Sequence, residues 1–199
     1  MRALAWIAAA ALMLAGLMPA LGANADMREL AGVPESNACM LIAKEDVGRI
    51  TGGTVEAANR MDDGKTEDGA YSSTCVWKVT GLPALPAKPN APFGGAAFAM
   101  LNTITWPAGS GQAKKYLEDF RDAAKHELID MTPVPVQAGD EALWWGDGVA
   151  VRKGDVSFGV SVHVGTDKKA EQAMEEALAK KIVANFAAGN VDNKGATGH

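Results

Sequence analysis

From Val156 to Val164 the sequence alternates without a break. Val156, Phe158, Val160, Val162 and Val164 fall on one side, and Ser157, Gly159, Ser161 and His163 on the other. A period of two is that of a strand with one face on an apolar core. Just upstream, Val149 and Val151 alternate with Ala150 and Arg152, and Lys153-Gly154 reads as a two-residue hairpin turn. Pairing Arg152 with Asp155 sets Val151 opposite Val156 and Val149 opposite Phe158, a register that keeps one face apolar. Trp145-Gly146-Asp147-Gly148 reads as a second turn, so Glu141 to Trp145 becomes the third strand of a meander.

The remaining segments supply what such a sheet needs. Tyr71 to Thr80 alternates, with Tyr71, Ser73, Cys75, Trp77 and Val79 on the more apolar face, which turns Cys75 inward. Thr54 to Met61 is a weaker strand. Ala96 to Trp106 carries apolar residues on both faces, as a central strand covered on each side does. Ala113, Tyr116, Leu117, Phe120, Ala123 and Ala124 recur at helical spacing behind Ser110, which can cap the helix, with His126 at the helix end. A short helix over Lys44 to Thr51 stops at Gly52-Gly53. Thr166 or Asp167 caps a long helix to about Ala187. Its apolar side is read as Ala170, Ala173, Met174, Ala177, Leu178 and Ile182 to Phe186. The expected fold is α+β: an antiparallel sheet of about six strands flanked by helices, in the order helix-βββ-helix-βββ-helix. The repeated order suggests an internal duplication, with TCVW at 74–77 and EALW at 141–144 in corresponding strands.

The ends are read differently. Residues 1–25 have the form of a secretory signal peptide: Arg2, an apolar run from Ala3 to Met18, Pro19, and Ala23-Asn24-Ala25 before Asp26. Residues 26–37 form an extended lead-in, 38–188 a single α+β domain and 189–199 a polar, disordered tail. Cleavage implies a periplasmic or secreted protein with no stable membrane anchor. In an oxidising compartment the two cysteines, Cys39 and Cys75, most simply form a disulfide. A formal charge of −5 without a basic block argues against a nucleic-acid partner.

Several segments together resemble a loose family of small secreted bacterial proteins that includes LpqN-type lipoproteins. They are Ala38-Cys39-Met40-Leu41-Ile42, Lys44-Glu45-Asp46-Val47, Gly52-Gly53, Thr74-Cys75-Val76-Trp77, Gly139-Asp140-Glu141-Ala142-Leu143-Trp144 and Val151-Arg152-Lys153-Gly154-Asp155. The resemblance implies a PsbP-like fold, an antiparallel sheet with flanking helices, and it agrees with the disulfide. It brings no catalytic motif. The chain departs from the lipoproteins in lacking a lipid-bearing cysteine, and from many members in placing Ala43 where a capping Ser or Thr would stand.

The search for chemistry yields few candidates. Asp62 to Gly69 clusters carboxylates but lacks calcium-loop spacing, so it reads as a solvated loop. No zinc spacing and no phosphate loop occur, and neither metal nor cofactor is expected. Pro83, Pro86, Pro89 and Pro92 recur at the polyproline period, which suits a stiff connector or a docking ligand. His163 shares a strand face with Ser161 and Ser157, but no G-x-S-x-G elbow frames them. Adjacent Trp144 and Trp145 must point to opposite faces of their strand, and either, if exposed, could anchor a partner. The expectation is therefore a non-catalytic envelope protein that binds a protein partner or a small ligand, with Trp144, Trp145 and His163 as candidate contacts. The alternative is a secreted hydrolase using His163 with Asp140, Glu141 or Asp147.

Overall fold

A computed structural model describes residues 36–83, 95–165 and 167–187. The segments expected to be a signal peptide, most of the lead-in, the centre of the proline-spaced segment, the cap candidate Thr166 and the expected tail lie outside the described residues. The fold is α+β. A 3₁₀ turn (Ala38–Met40) leads to α1 (Lys44–Thr51), β1 (Thr54–Val55), β2 (Asn59–Lys65), β3 (Tyr71–Thr80) and β4 (Phe98–Thr105). After α2 (Gln112–Lys125) come β5 (Val134–Pro135), β6 (Glu141–Trp144), β7 (Val149–Lys153), β8 (Val156–His163) and α3 (Lys168–Ala187). The eight strands form one antiparallel sheet in the order β1-β3-β4-β8-β7-β6-β5, with β2 also on β3. Among the described residues, no helix is long and apolar enough to cross a membrane.

Eight strands replace the expected six for local reasons. The segment from Thr54 to Met61 breaks after Val55, and β1 and β2 become two pieces of one edge along β3. The strand then continues through Asp62 and Asp63, where a loop was expected. Asp62 accepts a hydrogen bond from Ser73 at 2.6 Å and pairs with Arg60, and Asp63 accepts from Ser72. These partners hold the carboxylates against β3, and a register shift between Met61 and Gly64 absorbs the irregularity. β5, with Pro133 before it and Pro135 within it, occupies the opposite edge, where a missing N–H costs least.

The β7–β8 hairpin turns on Gly154-Asp155, one residue later than the sequence reading. Lys153 faces Val156, Val151 faces Phe158 and Val149 faces Val160. The first central position of the turn has φ +59°, which Gly154 adopts freely and Lys153 would not. The pairing moves by two residues, so every side chain keeps its expected face. One face buries Cys75, Trp77, Leu101, Val151, Phe158 and Val160 under the 3₁₀ turn, α1 and α3. Cys39 and Cys75 form a disulfide with Cα atoms 5.0 Å apart, tying the 3₁₀ turn to β3. The other face holds a smaller cluster of Leu117, Leu143 and Ala150 beneath α2. Ser157, fully buried there, accepts from the Trp106 indole at 3.1 Å and donates to the carbonyl of Ala113, which docks the start of α2. The N-cap of α2 is Gly111 rather than Ser110, whose hydroxyl accepts from the Gln112 N–H.

Because α1 and α2 cover opposite faces, a two-fold axis through the sheet does not relate the two halves. TCVW lies on β3, next to the central β4–β8 pair. EALW lies on β6, one strand further out, so the two tetrapeptides do not correspond.

Candidate functional site

β6 ends at Trp144, and the chain turns at once. The N–H of Trp145 donates to Gly148 O at 3.0 Å, and Gly146 sits at φ +104°. A Cβ on Gly146 would come within 3.0 Å of the Met131 sulfur, so both backbone and space call for glycine there. Strand alternation sends the two half-buried indoles apart, as expected. Trp144 packs on the larger core beneath α3. Trp145 joins the smaller cluster beneath α2, with its ring 5.7 Å from that of Phe120. The Trp144 indole donates to Glu175 Oε2 at 2.9 Å. The Trp145 indole N–H has no hydrogen-bond partner among the described residues.

The loop that follows α2 comes to the same place as the two tryptophans. The N–H of Leu128 bonds Ala123 O at 2.8 Å, and the N–H of Glu127 bonds Ala124 O at 3.2 Å. This is the paired closure of a Schellman motif, in which the left-handed residue is usually glycine. Here it is Glu127, at φ +56°. Leu128, which in such a motif usually folds back on its helix, is 76% exposed. Leu128, Met131, Trp144, Trp145, Asp147 and Lys168 line a groove of about 440 Å³. Lys168 pairs with Asp147 across its rim.

Behind Trp144 lies a feature that the sequence reading missed. α3 buries Glu171 (4% exposed) and Glu175 (2% exposed), while Ala173, expected on the core side, is exposed. The reason is at the sheet. β7 begins at Val149, opposite Val160, so beyond Val160 this edge of β8 has no strand partner among the described residues. Val162 N–H donates to Glu175 Oε1 at 3.1 Å, and Val164 N–H donates to Glu171 Oε1 at 3.2 Å. Two such N–H groups lie about 6.7 Å apart along a strand. Side chains one turn apart on a helix are spaced by about 6 Å. The i, i+4 carboxylates therefore match the open edge and replace the missing strand. Burial pushes the Glu175 carboxyl up to about 7, against the two N–H donors, which favour its ionised form.

The residues named for a hydrolase do not form a constellation. His163 ends β8, one-third exposed, with its ring 5.7 Å from that of Phe98 and Nδ1 3.8 Å from Glu171 Oε1. No hydrogen bond joins it to Ser161 among the described residues. Asp140 is held by the N–H of Gly154 and by Lys153 and Arg152. Glu141 pairs with Arg121, and Asp147 with Lys168. The carboxylate beside His163 is Glu171, which the sequence reading did not consider. Among the described residues, no three His, Cys, Asp or Glu side chains are grouped to hold a metal ion.

The groove joins two of the three expected contacts, Trp144 and Trp145, with Leu128 and Met131. His163 is not in its lining. The sequence signal for the glutamates was their spacing of four on a helix following a strand longer than its neighbour. Comparison with protein-family models, with curated proteins and with solved structures finds no match to this chain.

Proposed function

We propose that this is a non-catalytic protein of the bacterial periplasm or exterior that binds a small amphipathic ligand in the two-tryptophan groove. The observation that carries this reading is the groove itself. Trp144, Trp145, Leu128 and Met131 line it, and Asp147 and Lys168 supply polar groups at the rim. A volume of about 440 Å³ lies in the usual range for small-molecule sites, which pair apolar walls with a few polar groups. The disulfide and the form of the first 25 residues support the compartment, and the segments quoted above support kinship with PsbP-like domains.

Ligand-observed NMR against a library of small amphipathic compounds tests the binding reading. A hit should shift the Trp144 and Trp145 indole resonances and lose at least about tenfold in affinity in Leu128→Asp, with the fold intact. Hits that ignore this variant, or none at all, would overturn the groove as the site. Intact mass of protein from the native envelope tests the compartment. A chain starting at Asp26 with two hydrogens fewer than the reduced form is the expected species. The hydrolase reading keeps one supporting contact, His163 with Glu171. Turnover of an ester, glycoside or peptide substrate that disappears in His163→Ala would establish it instead.

A further inference from the structure

Glu175 lies behind the groove and bonds both the sheet backbone and Trp144, a residue of the groove lining. One carboxylate oxygen takes the Val162 N–H, which belongs to the scaffold, and the other takes the Trp144 indole N–H, which belongs to the groove wall. An indole fixed by a charge-assisted hydrogen bond is held more firmly than one bonded to a neutral carboxyl. We propose that Glu175 is a proton-sensitive positioning residue: its ionised form orients Trp144 for ligand, and its protonation loosens the groove wall and releases what is bound there. The proposal rests on the groove as the binding site and adds its regulation.

The surroundings favour a proton at this point. Glu175 is almost fully enclosed, and its nearest carboxylate, Glu171, sits one turn away on the same helix face. On α3, Lys168 is the nearby cation, but it is drawn toward Asp147 of the β6–β7 turn and toward Glu171. From β8, His163 faces Glu171. No cation pairs with Glu175 among the described residues. Its carboxyl, raised to about 7 by burial, would change state within the range that an envelope protein meets. Linkage requires the converse as well: a ligand that needs the ordered indole lowers the proton affinity of Glu175 and expels a proton when it binds.

The test has two arms on the full mature chain. The first follows the Trp144 indole N–H resonance, assigned with Trp144→Phe, from pH 5 to 8.5 without ligand. A single step near neutrality is expected. It should persist in His163→Asn, which removes the neighbouring imidazole, and vanish in Glu175→Gln. No step, or the same step in Glu175→Gln, overturns the proposal whatever the groove binds. The second arm titrates N-phenyl-1-naphthylamine, a neutral apolar fluorophore, at pH 8 and pH 5.5. Affinity should be at least about fivefold tighter at pH 8, with the difference lost in Glu175→Gln. Equal affinities at the two pH values overturn the gating. Failure to bind at either pH, with the resonance step intact, overturns the binding reading and leaves Glu175 as the group that positions Trp144.

Discussion

Beneath α1 and α3 the sheet buries a continuous apolar layer from Trp77 through Phe158 to Ile182, whereas the buried apolar cluster beneath α2 is, among the described residues, no larger than Leu117, Leu143 and Ala150. The contrast is sharpest at neighbouring residues, because Trp144 belongs to the first face and Trp145 to the second. The large face accommodates two buried carboxylates, each bonded to a strand N–H that would otherwise be orphaned. The small face buries no carboxylate among the described residues, and the loop that follows its α2 carries Leu128, standing in solvent, to a groove shared with Trp144 and Lys168 of the other side. Surplus apolar burial lets one side of a sheet hold costly polar groups, and the thinner side leaves apolar side chains such as Leu128 in solvent.

The strongest way to break this contrast is to remove a side chain from each layer. Phe158→Ala, at the centre of the large core and stacked near Phe186, should cost about 3–5 kcal/mol. Leu117→Ala on the small face should cost less, about 2–3 kcal/mol, because a thin layer relaxes more readily into the space. Urea titrations of both variants would measure the difference, and equal losses would show that the faces are energetically alike. The disulfide lies wholly on the large face. Replacing Cys39 and Cys75 together by Ala should cost about 3–4 kcal/mol, the value expected from loop closure across 36 residues. A loss below about 1 kcal/mol would mean that the apolar layer alone fixes the 3₁₀ turn.

Much of the large face was legible in the sequence because strands with one buried side alternate visibly. β3 and β8 lie where the pattern puts them, Cys75 points inward, and the two indoles diverge. The hairpin register was not fixed by pattern, since a shift of two residues preserves the faces. Only the positive φ at Gly154 decides it. α3 was misread for a physical reason. A helix that buries Glu171 and Glu175 has no clean apolar stripe, so Ala173 was assigned inward in their place. The groove was half legible: the two tryptophans were visible, but Leu128 and Met131 reach them only through the Schellman closure after α2.

The carboxylate that distinguishes the large face also predicts a pH dependence. The folded Glu175 carboxyl lies near 7, above its ordinary value of about 4.5, so between these limits the folded state holds more protons than the unfolded one. Stability therefore falls as pH rises from about 4.5 to about 7, by up to about 3 kcal/mol, and then levels. Asp140 acts in the opposite sense. The Gly154 N–H and Lys153 lower its carboxyl below the usual range, so its contribution is lost only as pH falls through the acid range. Glu175→Gln should flatten the slope between pH 4.5 and 7 and leave the acid limb in place. Denaturant midpoints across pH would show this, and an unchanged slope in the variant would assign the titration elsewhere.

The smallest effect is expected on the thin side, at the α2 terminus that shapes the groove. Glu127 occupies a left-handed position where a side chain costs about 1 kcal/mol or more relative to glycine. Glycine regains that cost and gives part of it back through the greater freedom of the unfolded chain. Glu127→Gly should therefore stabilise by roughly 0.5 kcal/mol, read as a small rise in denaturant midpoint with no change in slope. The sign is informative. Stabilisation would mean that the wall carrying Leu128 is held in a strained conformation by its own closing hydrogen bonds. Destabilisation would mean that the Glu127 side chain contributes more to that wall than its backbone costs.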